Sequence, residues 1–515
     1  MSPSPTRSGA SSSGPASRSR RAIRRNRHPL SPFGRGEPGR GEPGRGEGRI
    51  VIGANRLPVQ LVRDRDGEWA AAPSAGGLVT ALSSVLRTRG GIWAGWPGVP
   101  GAGQDVLAGA LSRGLEQGFG LHAVELSREE LDLFYQGFAN QVLWPALHGF
   151  SALMDPDPRF WPAYREVNRR FAEALSQAAG PGDLIWVHDY HLILTAKEVR
   201  AQGGEGHLAF FLHTPFPGMD AFTEVPHHRE LLAALLHFDL IGFQTRRDEA
   251  NFLEAVRVLF PHAGSKNPDG QRFRVERSGT RTGVFPISID YDEFSGEARN
   301  PVVQGMAWDL RRKLGDRALL LGVDRLDYSK GVPQKLRAYR WALRNHPELR
   351  GRTVLKQLVI PSRENIPAYR ATKVEIEGLV RSINEEFGGD APLPVDYRYG
   401  RWDRSELLAH YREADVALVT PVNDGMNLVA KEFVVANKGT GALILSASAG
   451  VAMELAETAL LVNPGDVIEM AEAMVQALGI SEDRRRNRIS RAGRHVQRHD
   501  VHRWAASFLA TAVEA

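Results

Sequence analysis

Short apolar runs alternate with longer amphipathic stretches from Arg49 onward, and this alternation constrains the fold more than any other feature. The apolar runs have the length of strands and cover residues 49–54, 184–187, 208–212, 238–243, 318–323, 354–360, 416–420 and 442–445. The stretches with helical spacing cover residues 130–147, 161–178, 246–258, 332–344, 366–387, 406–413, 430–436 and 467–478. Continuous apolar strands separated by helices indicate parallel sheets covered on both faces. We therefore predict a doubly wound α/β fold.

The length of the chain, 515 residues, is too great for one ordinary core. The strand pattern breaks near residues 289–301, where polar residues and proline replace it. We predict a Rossmann-like domain over 49–295, a second over 296–482, and C-terminal helices over 483–515 that cross back to the first domain. Two such domains form a cleft between the carboxyl ends of their strands, where ligands bind.

The first 48 residues differ in composition from the rest of the chain. They consist mainly of Ser, Pro, Gly and Arg, and their ten arginines and three glutamates give a charge of +7, which leaves −2 for the remainder. A segment with so little apolar surface to bury is predicted to be a disordered, solvated tail. Binding of nucleic acid or acidic lipid by the arginines of 18–27 is the less favoured alternative, and the near-neutral body does not support it.

Several classes of protein are excluded by composition. The chain has no cysteine, which excludes disulfides, thiolate zinc sites, iron–sulfur clusters and cysteine nucleophiles. No apolar run reaches the roughly 18 residues of a membrane helix, and no apolar segment of a signal peptide follows the N-terminal arginines. These features fit a cytoplasmic enzyme with no membrane partner.

Polar groups in the first half follow predicted strands or open predicted helices. Gly76 and Gly77 precede a helix, where their backbone can approach a phosphate, although a plain turn would need the same residues. Asp189 follows the strand 184–187, and we favour a hydrogen bond to a ligand hydroxyl over a metal site there. His213 ends the strand 208–212, either as a strand cap or as a site residue. The aromatic residues Trp96, Tyr135 and Trp144 suit a sugar-binding cleft, but their spacing favours the core.

Cations follow two strands of the second half. Arg325 and Lys330 come after strand 318–323 and before a helix, and two fixed cations there suit a diphosphate leaving group. Arg363 ends strand 354–360 and adds a third cation at the same level of the sheet.

A third motif of the second half runs from a strand into a helix, with Asp424 at its start. Its glycine permits a tight turn, and the next backbone amides can hold sugar hydroxyls or phosphate; the residues are Gly425, Met426, Asn427, Leu428 and Val429. Glu432 lies about two turns further on, where its carboxylate can take both hydroxyls of a ribose. The residues alone therefore predict a nucleotide-sugar site.

These segments together resemble the trehalose-6-phosphate synthases, retaining glycosyltransferases of family 20. The resemblance implies the GT-B fold, in which two doubly wound Rossmann-like domains face each other across a cleft. It covers about residues 49–510, and its motifs lie at 55–58, 76–78, 93–96, 140–145, 186–192, 213–217, 325–331 and 424–432.

On the acceptor side, the resemblance implies that Arg56 and Arg363 hold the phosphate of glucose 6-phosphate. Tyr135 and Trp144 would line that pocket, with Asp189 on the acceptor hydroxyls; Trp96 is placed near the acceptor cleft as well.

On the donor side, the resemblance implies contacts to UDP-glucose from Gly76, Gly77 and residues 425–429, with Glu432 on the ribose. Four residues are implied to be catalytic. His213 would reach the donor glucose and Asp424 would hold its hydroxyls, while Arg325 and Lys330 would neutralise the diphosphate.

The implied reaction transfers glucose from UDP-glucose to glucose 6-phosphate with retention, giving trehalose 6-phosphate and UDP in an osmoprotective pathway. It needs no metal, no cofactor and no protein nucleophile, and the resemblance implies a separate downstream phosphatase and a homo-oligomer. The alternatives are a glucosylglycerol-phosphate synthase that uses ADP-glucose and glycerol 3-phosphate, and a non-catalytic regulatory homologue, which would lack some of these side chains.

Overall fold

The computed structural model describes residues 48–63, 69–74, 76–101, 118–204, 206–261, 265–266, 273–274, 279–389 and 392–514. All of them belong to one compact unit, Glu42–Ala515. The predicted tail, apart from Gly48, lies outside the described residues.

The first half of this unit is built on a seven-stranded parallel sheet in the order β11-β8-β7-β6-β1-β4-β5. Its strands are β1 (Ile50–Arg56), β4 (Ile92–Trp96), β5 (Gly120–Ala123), β6 (Leu184–His188), β7 (His207–Phe211), β8 (Leu240–Phe243) and β11 (Arg281–Val284). Two antiparallel pairs lie outside it: β2 (Val59–Arg63) with β3 (Trp69–Pro73), and β9 (Ser265–Lys266) with β10 (Phe273–Arg274). The central strands are buried on both faces, as their unbroken apolar sequences predict.

Helices cover both faces of this sheet. They are α1 (Gly77–Arg89), α2 (Arg128–Glu130), α3 (Trp144–Leu147), α4 (Phe160–Ala178), α5 (Thr195–Ala201), α6 (Met219–Thr223), α7 (His228–Leu235) and α8 (Arg246–Leu259). Between α2 and α3 the chain continues without a break as a π-helix, Leu131–Leu143, where an ordinary α-helix was predicted. Such wide turns are rare and occur mostly at functional sites.

The second half is built on a six-stranded parallel sheet in the order β14-β13-β12-β15-β16-β17. Its strands are β12 (Ala318–Arg325), β13 (Thr353–Ile360), β14 (Val395–Tyr399), β15 (Val416–Val419), β16 (Ala442–Ser446) and β17 (Leu460–Val462). Its helices are α9 (Tyr291–Ala298), α10 (Pro301–Leu314), α11 (Val332–Asn345), α12 (Pro367–Phe387), α13 (Arg404–Glu413), α14 (Leu428–Ala436), α15 (Ala452–Leu455) and α16 (Val467–Gly479). Two doubly wound sheets are thus present, which confirms the predicted fold class.

The break in the strand pattern near residues 289–301 contains the starts of two helices. Asp290 caps α9 by accepting from Glu293 N, and Asn300 caps α10 by accepting from Val302 N, with Pro301 in the first turn. These polar residues and the proline are therefore helix-start signals, which the strand pattern did not disclose.

The last two helices, α17 (Glu482–Arg498) and α18 (Val501–Val513), contact different halves. Helix α17 packs on α14, whereas α18 returns to the first sheet. There Phe508 stacks on Trp186 with ring centroids 4.7 Å apart, and Trp504 donates to the Phe285 carbonyl at 3.1 Å. None of the helices in the described part of the chain combines the length and apolarity that a membrane crossing requires.

Candidate active site

Several of the predicted site residues lie at the carboxyl ends of strands from both sheets. In the first half, Arg56 ends β1, Trp96 ends β4 and Asp189 follows β6. In the second half, Arg325 ends β12 and Arg363 comes three residues after β13. Because the strands of a parallel sheet all point the same way, each set meets at one edge, and the two edges contact each other.

Arg56 forms the first-half part of a cationic pocket. Its guanidinium carbon lies 4.8 Å from the centre of the Trp96 ring and 5.6 Å from that of Tyr135. The two aromatic faces hold the planar cation and leave its polar edges for a ligand. The core role that spacing favoured for Trp96 is confirmed, since only 3% of its surface is exposed.

Arg363 belongs to the second half but is held by aromatic residues of both halves. Its guanidinium lies 4.1 Å from the centre of the Trp144 ring and donates to the hydroxyls of Tyr190 at 3.0 Å and Tyr369 at 2.6 Å. The side chain is only 6% exposed, and the backbone at Arg363 has a left-handed φ of 49°. A buried arginine fixed by three rings is a rigid cation, and sequence reasoning did not find its partners Tyr190 and Tyr369.

The charges of Arg56 and Arg363 both affect the pKa of Tyr135. Burial by itself would raise the pKa of the Tyr135 hydroxyl, but the charges of Arg363 and Arg56 outweigh it and lower the pKa. His191 stacks on Tyr135 with ring centroids 5.7 Å apart, and burial together with the same two arginines keeps its pKa well below the usual range. This region therefore suits an anion.

Asp327 is a site residue that sequence reasoning missed. Its side chain is fully buried, with Oδ2 3.8 Å from Arg325 and 3.9 Å from Arg363. Its Oδ1 accepts from Ser329 N at 3.0 Å and from the Trp144 indole at 3.4 Å. Burial would raise the pKa of Asp327, but Arg325, Lys330 and Arg363 hold it below the usual range. One ionised carboxylate thus separates the cations of the two predicted phosphate sites, and its position inside the Arg325–Lys330 motif was the available signal.

Lys330 and Asp424 form a close ion pair, with Nζ 2.6 Å from Oδ2. The same carboxylate oxygen accepts from the Asn427 amide at 3.0 Å. Burial would raise the pKa of Asp424, and Lys330 reverses that effect and lowers it. The residues predicted to hold the diphosphate and the glucose hydroxyls are therefore electrostatically coupled.

The two halves touch at glycines of the predicted donor site. A Cβ atom on Gly425 would clash with the backbone carbonyl of His213 in the other half, and one on Gly77 would lie 2.8 Å from Leu428 Cδ1. Gly425 therefore requires glycine for close approach, not only for a turn, whereas the Leu428 side chain opposite Gly77 can move. Gly76 serves as the N-cap of α1 with a left-handed φ of 145°, and its predecessor Ala75 lies outside the described residues.

Asp189 and His213, which follow the neighbouring strands β6 and β7, lie side by side. The Asp189 Oδ1 accepts from the His213 backbone N–H at 3.3 Å, and burial raises the pKa of the Asp189 carboxyl to about 6. The His213 ring lies 3.0 Å from His188 Nδ1 and 3.3 Å from the Gln244 amide, and burial lowers its pKa to about 3. His188 and Gln244 were not among the predicted site residues.

Backbone strain is concentrated here. Among the described residues, four non-glycine residues have a positive φ, and three of them are predicted site residues, namely Asp189, Arg363 and Asn427. Each such conformation costs on the order of 1–3 kcal/mol and persists where the surroundings enforce it, which is common at functional sites.

Glu432 lies one turn into α14, apart from the ion pairs. Its Oε2 accepts from the Tyr411 hydroxyl at 2.9 Å, and burial raises the pKa of its carboxyl. Met426 is in the core, and its backbone carbonyl accepts from Val451 N at 2.9 Å. Its side chain is therefore structural, whereas Leu428 and Val429 are half-buried at the start of α14.

Across the described ranges, no group of three or more histidine, aspartate or glutamate side chains is arranged to hold a metal ion. The cations of the site are paired with carboxylates or with aromatic rings.

A sequence model of glycosyltransferase family 20 matches residues 48–514. A trehalose-6-phosphate synthase of Mycolicibacterium smegmatis is 41% identical over 467 residues, which cover 89% of this chain and 91% of that relative. A bifunctional trehalose-6-phosphate synthase/phosphatase of Thermoproteus tenax is 42% identical over 480 residues, which cover 91% of this chain and 64% of that relative. This chain therefore spans a little less than two thirds of the bifunctional relative.

Solved structures agree with the sequence relatives. A UDP-forming α,α-trehalose-phosphate synthase from Burkholderia xenovorans, in complex with glucose-6-phosphate, has a TM-score of 0.81 and 34% identity over 90% of this chain and 100% of that one. An E. coli structure described as bound with UDP-2-fluoro glucose has a TM-score of 0.81 and 33% identity over 91% of this chain and 99% of that one. The similarity thus includes both sheets and the cleft edges between them.

Proposed function

Because the chain belongs to glycosyltransferase family 20, we propose that it transfers glucose from UDP-glucose to the anomeric oxygen of glucose 6-phosphate with retention, giving trehalose 6-phosphate and UDP. The observation that carries this proposal is the arrangement of cations in two groups. Arg56 and Arg363 form one group on aromatic supports, and Arg325 and Lys330 form the other, with Asp327 between them. Two phosphorylated substrates need two such groups.

The acceptor phosphate is proposed to bind between Arg56 and Arg363, since planar guanidinium groups recognise phosphate by paired hydrogen bonds. Trp96, Tyr135 and Trp144 then form the walls of the pocket. The carboxylate of Asp189 accepts from acceptor hydroxyls. The raised pKa of Asp189 suits a buried carboxylate that has few hydrogen-bond donors until the acceptor hydroxyls bind.

The donor is proposed to bind at the start of α14 and of α1, where backbone amides at helix N-termini favour phosphate oxygens. Asp424 and His213 would hold the glucose, Gly77 would lie near the diphosphate, and Glu432 would hold the ribose.

In the proposed reaction the bond between the glucose anomeric carbon and the diphosphate oxygen breaks while the acceptor oxygen bonds to the same face of that carbon. The proton of the acceptor hydroxyl passes to the departing diphosphate. Arg325 and Lys330 stabilise the negative charge that develops there, and one well-placed donor of this kind supplies about 3–4 kcal/mol. We propose that no metal ion is needed, because these two cations neutralise the same charge.

A phosphatase is proposed to consume the product, because the Thermoproteus tenax relative joins the two activities in one protein. This step lies outside the site described above.

The test is a product assay with purified protein, glucose 6-phosphate and a metal chelator, in which UDP-, GDP- and ADP-glucose are offered in parallel. We expect trehalose 6-phosphate to form with UDP-glucose. Turnover with glycerol 3-phosphate in place of glucose 6-phosphate would instead identify the sister activity. An absence of turnover with every pair would reject the transferase proposal.

A further inference from the structure

Gln244 is a buried polar residue that directly follows β8. The proposed reaction gives this residue no role. Only 1% of its surface is exposed, and both ends of its amide have partners inside the protein. Its Oε1 accepts from the backbone N–H of Ile287 at 3.0 Å, and its Nε2 lies 3.3 Å from Nδ1 of His213. Ile287 belongs to the segment that connects the two halves.

These contacts determine where the proton of His213 resides. A backbone N–H can only donate, so the carbonyl end of the Gln244 amide must face Ile287 and its NH₂ end must face His213. Nδ1 of His213 is then an acceptor, and the ring proton is on Nε2. That proton points to Nδ1 of His188, 3.0 Å away, so the proton of His188 is on Nε2 in turn.

The same contacts oppose a charge on His213. A second proton would be on Nδ1 and would face the amide hydrogens of Gln244. The titratable groups that face His213 are His188 at the end of β6 and Asp189, and Trp504 of α18 lies 6.4 Å away between ring centroids. Burial among these groups lowers the pKa of His213 to about 3 and that of His188 well below its usual value.

We propose that Gln244 is a positioning residue that keeps His213 neutral, with its single proton on Nε2, beside the donor glucose. This rests on the proposed function, which places His213 at that sugar. A glycosyl group in transfer develops positive charge at the anomeric carbon, and a neighbouring imidazolium would oppose it. A neutral ring does not impose that penalty, and both of its nitrogens stay bound to Gln244 and His188.

The connecting segment sets the position of Gln244 relative to the second half. The carbonyl oxygen of Ile287 accepts from Lys431 Nζ at 2.9 Å, and Lys431 is on α14, next to Glu432. One residue of the connector thus binds both the amide that orients His213 and the helix that carries donor-site residues. The proton position of His213 is thereby tied to the contact between the two halves.

The first test requires no change to the site and no catalytic turnover. The full-length protein is labelled with ¹⁵N-histidine, and the His213 signal is identified by its absence in His213→Asn. We expect ring nitrogen shifts of a neutral imidazole protonated on Nε2 from pH 5 to pH 9. A proton on Nδ1, or an imidazolium within that range, would overturn the proposal.

The second test is Gln244→Glu, which has nearly the same shape. One carboxylate oxygen still accepts from Ile287, while the other faces Nδ1 of His213 and favours a proton there, so the pKa of His213 rises. The charged ring is the inactive form in this proposal. Turnover of Gln244→Glu should therefore be at least about tenfold lower at pH 6, where His213 is protonated, than at pH 9, where it is neutral. Wild-type protein should show no such tenfold loss, because half-protonation of Asp189 near pH 6 lowers activity only about twofold.

The matched control is Gln304→Glu, the same change on the exposed face of α10, which should keep the wild-type pH profile. A wild-type profile in Gln244→Glu as well would overturn the proposal. If Gln244→Glu does not fold, the labelled wild-type protein still decides the question. If wild type makes no trehalose 6-phosphate, the proposed function fails, and the nitrogen shifts still report the proton position separately.

Discussion

At the scale of single residues, the site holds charged groups where burial alone would neutralise them. Asp327 and Asp424 stay ionised because cations of neighbouring loops offset the loss of water. Asp189 lacks such a close cation, and burial raises the pKa of its carboxyl to about 6. The protein therefore retains an unfavourable charge at Asp189, as expected when a group is selected for binding and not for stability.

The first prediction is that Asp189→Asn stabilises the unliganded protein and abolishes most activity. With a folded pKa near 6 and an unfolded pKa near 3.9, ionisation of this group destabilises the folded state as pH rises between these values. The variant should therefore gain about 1–3 kcal/mol above pH 6 and almost nothing at pH 4. Denaturant unfolding at several pH values measures this. A gain that does not depend on pH would contradict the explanation.

The second prediction concerns Arg325. Its side chain is 44% exposed and its nearest carboxylate oxygen is 3.8 Å away, so its removal should leave the fold intact. Arg325→Ala should lower kcat by about 10²–10³-fold, because one fixed donor to the leaving group is lost. Steady-state kinetics and thermal unfolding of the variant provide the measurement, with the exposed Arg312→Ala as the control. Normal turnover would remove Arg325 from the mechanism.

At the scale of elements, the sequence predicted the buried central strands well. The strands β6, β7, β12, β13 and β16 begin and end within two residues of the predicted runs, because strands covered on both faces need unbroken apolar sequences. Edge strands such as β5, β14 and β17 were missed, since they are short and partly exposed. The π-helix was also missed, because the stretch 130–147 was compared only with α-helical spacing and π-helices are rare.

The site followed the same rule. Several ionic residues at or after strand ends were singled out from sequence, as Arg325, Arg363 and Asp424 show, although Asp327, two residues after Arg325, was not. Residues that gain a role only through another element were not found. Tyr190 and Tyr369 support Arg363 from elements far apart in sequence, and Gln244 acts on His213 across two strands.

The third prediction tests the close approach of the strand-to-helix turns. Gly425→Ala would place a methyl group against the His213 carbonyl, so we expect weaker contact between the halves, a higher KM for UDP-glucose and a lower kcat. Gly378→Ala is the matched control, because a Cβ at Gly378, within the exposed face of α12, meets no atom within 4 Å. That control should be neutral or gain up to about 1 kcal/mol. Equal kinetics in the two variants would show that the approach is not needed.

At the scale of the whole molecule, the described part of the chain begins next to the first sheet. Gly48 packs against Gly182, and Arg49 donates to Asp183 through its backbone and guanidinium, at 2.7 and 2.9 Å. The fourth prediction is that removal of residues 1–47, with Gly48 and Arg49 kept, leaves kcat, KM and the unfolding temperature unchanged. Kinetics and calorimetry of the shortened protein test it, and a loss of activity would assign those residues a role in the reaction.

A buried ionic group holds the connecting segment to the second half. Lys431 has no exposed side-chain surface, and its Nζ lies 2.6 Å from Glu454 and 2.9 Å from the Ile287 carbonyl. The second oxygen of Glu454 lies 3.0 Å from His495 on α17. Removal of one partner of such a pair leaves a buried charge, which typically costs about 3–5 kcal/mol.

The fifth prediction separates the stability of this group from its role in holding the connecting segment. Lys431→Met should lower the free energy of unfolding by about 3–5 kcal/mol, and a second change, Glu454→Gln, should restore most of it by removing the unpaired charge. Without Lys431, neither Lys431→Met nor the double variant can donate to Ile287. We therefore expect a low kcat in both, although the stability of the double variant recovers. Glu454→Gln alone, which keeps Lys431 bound to Ile287, should have a higher kcat than the double variant. If kcat instead recovered together with stability, Lys431 would only stabilise the fold, and its hydrogen bond to Ile287 would not affect the reaction.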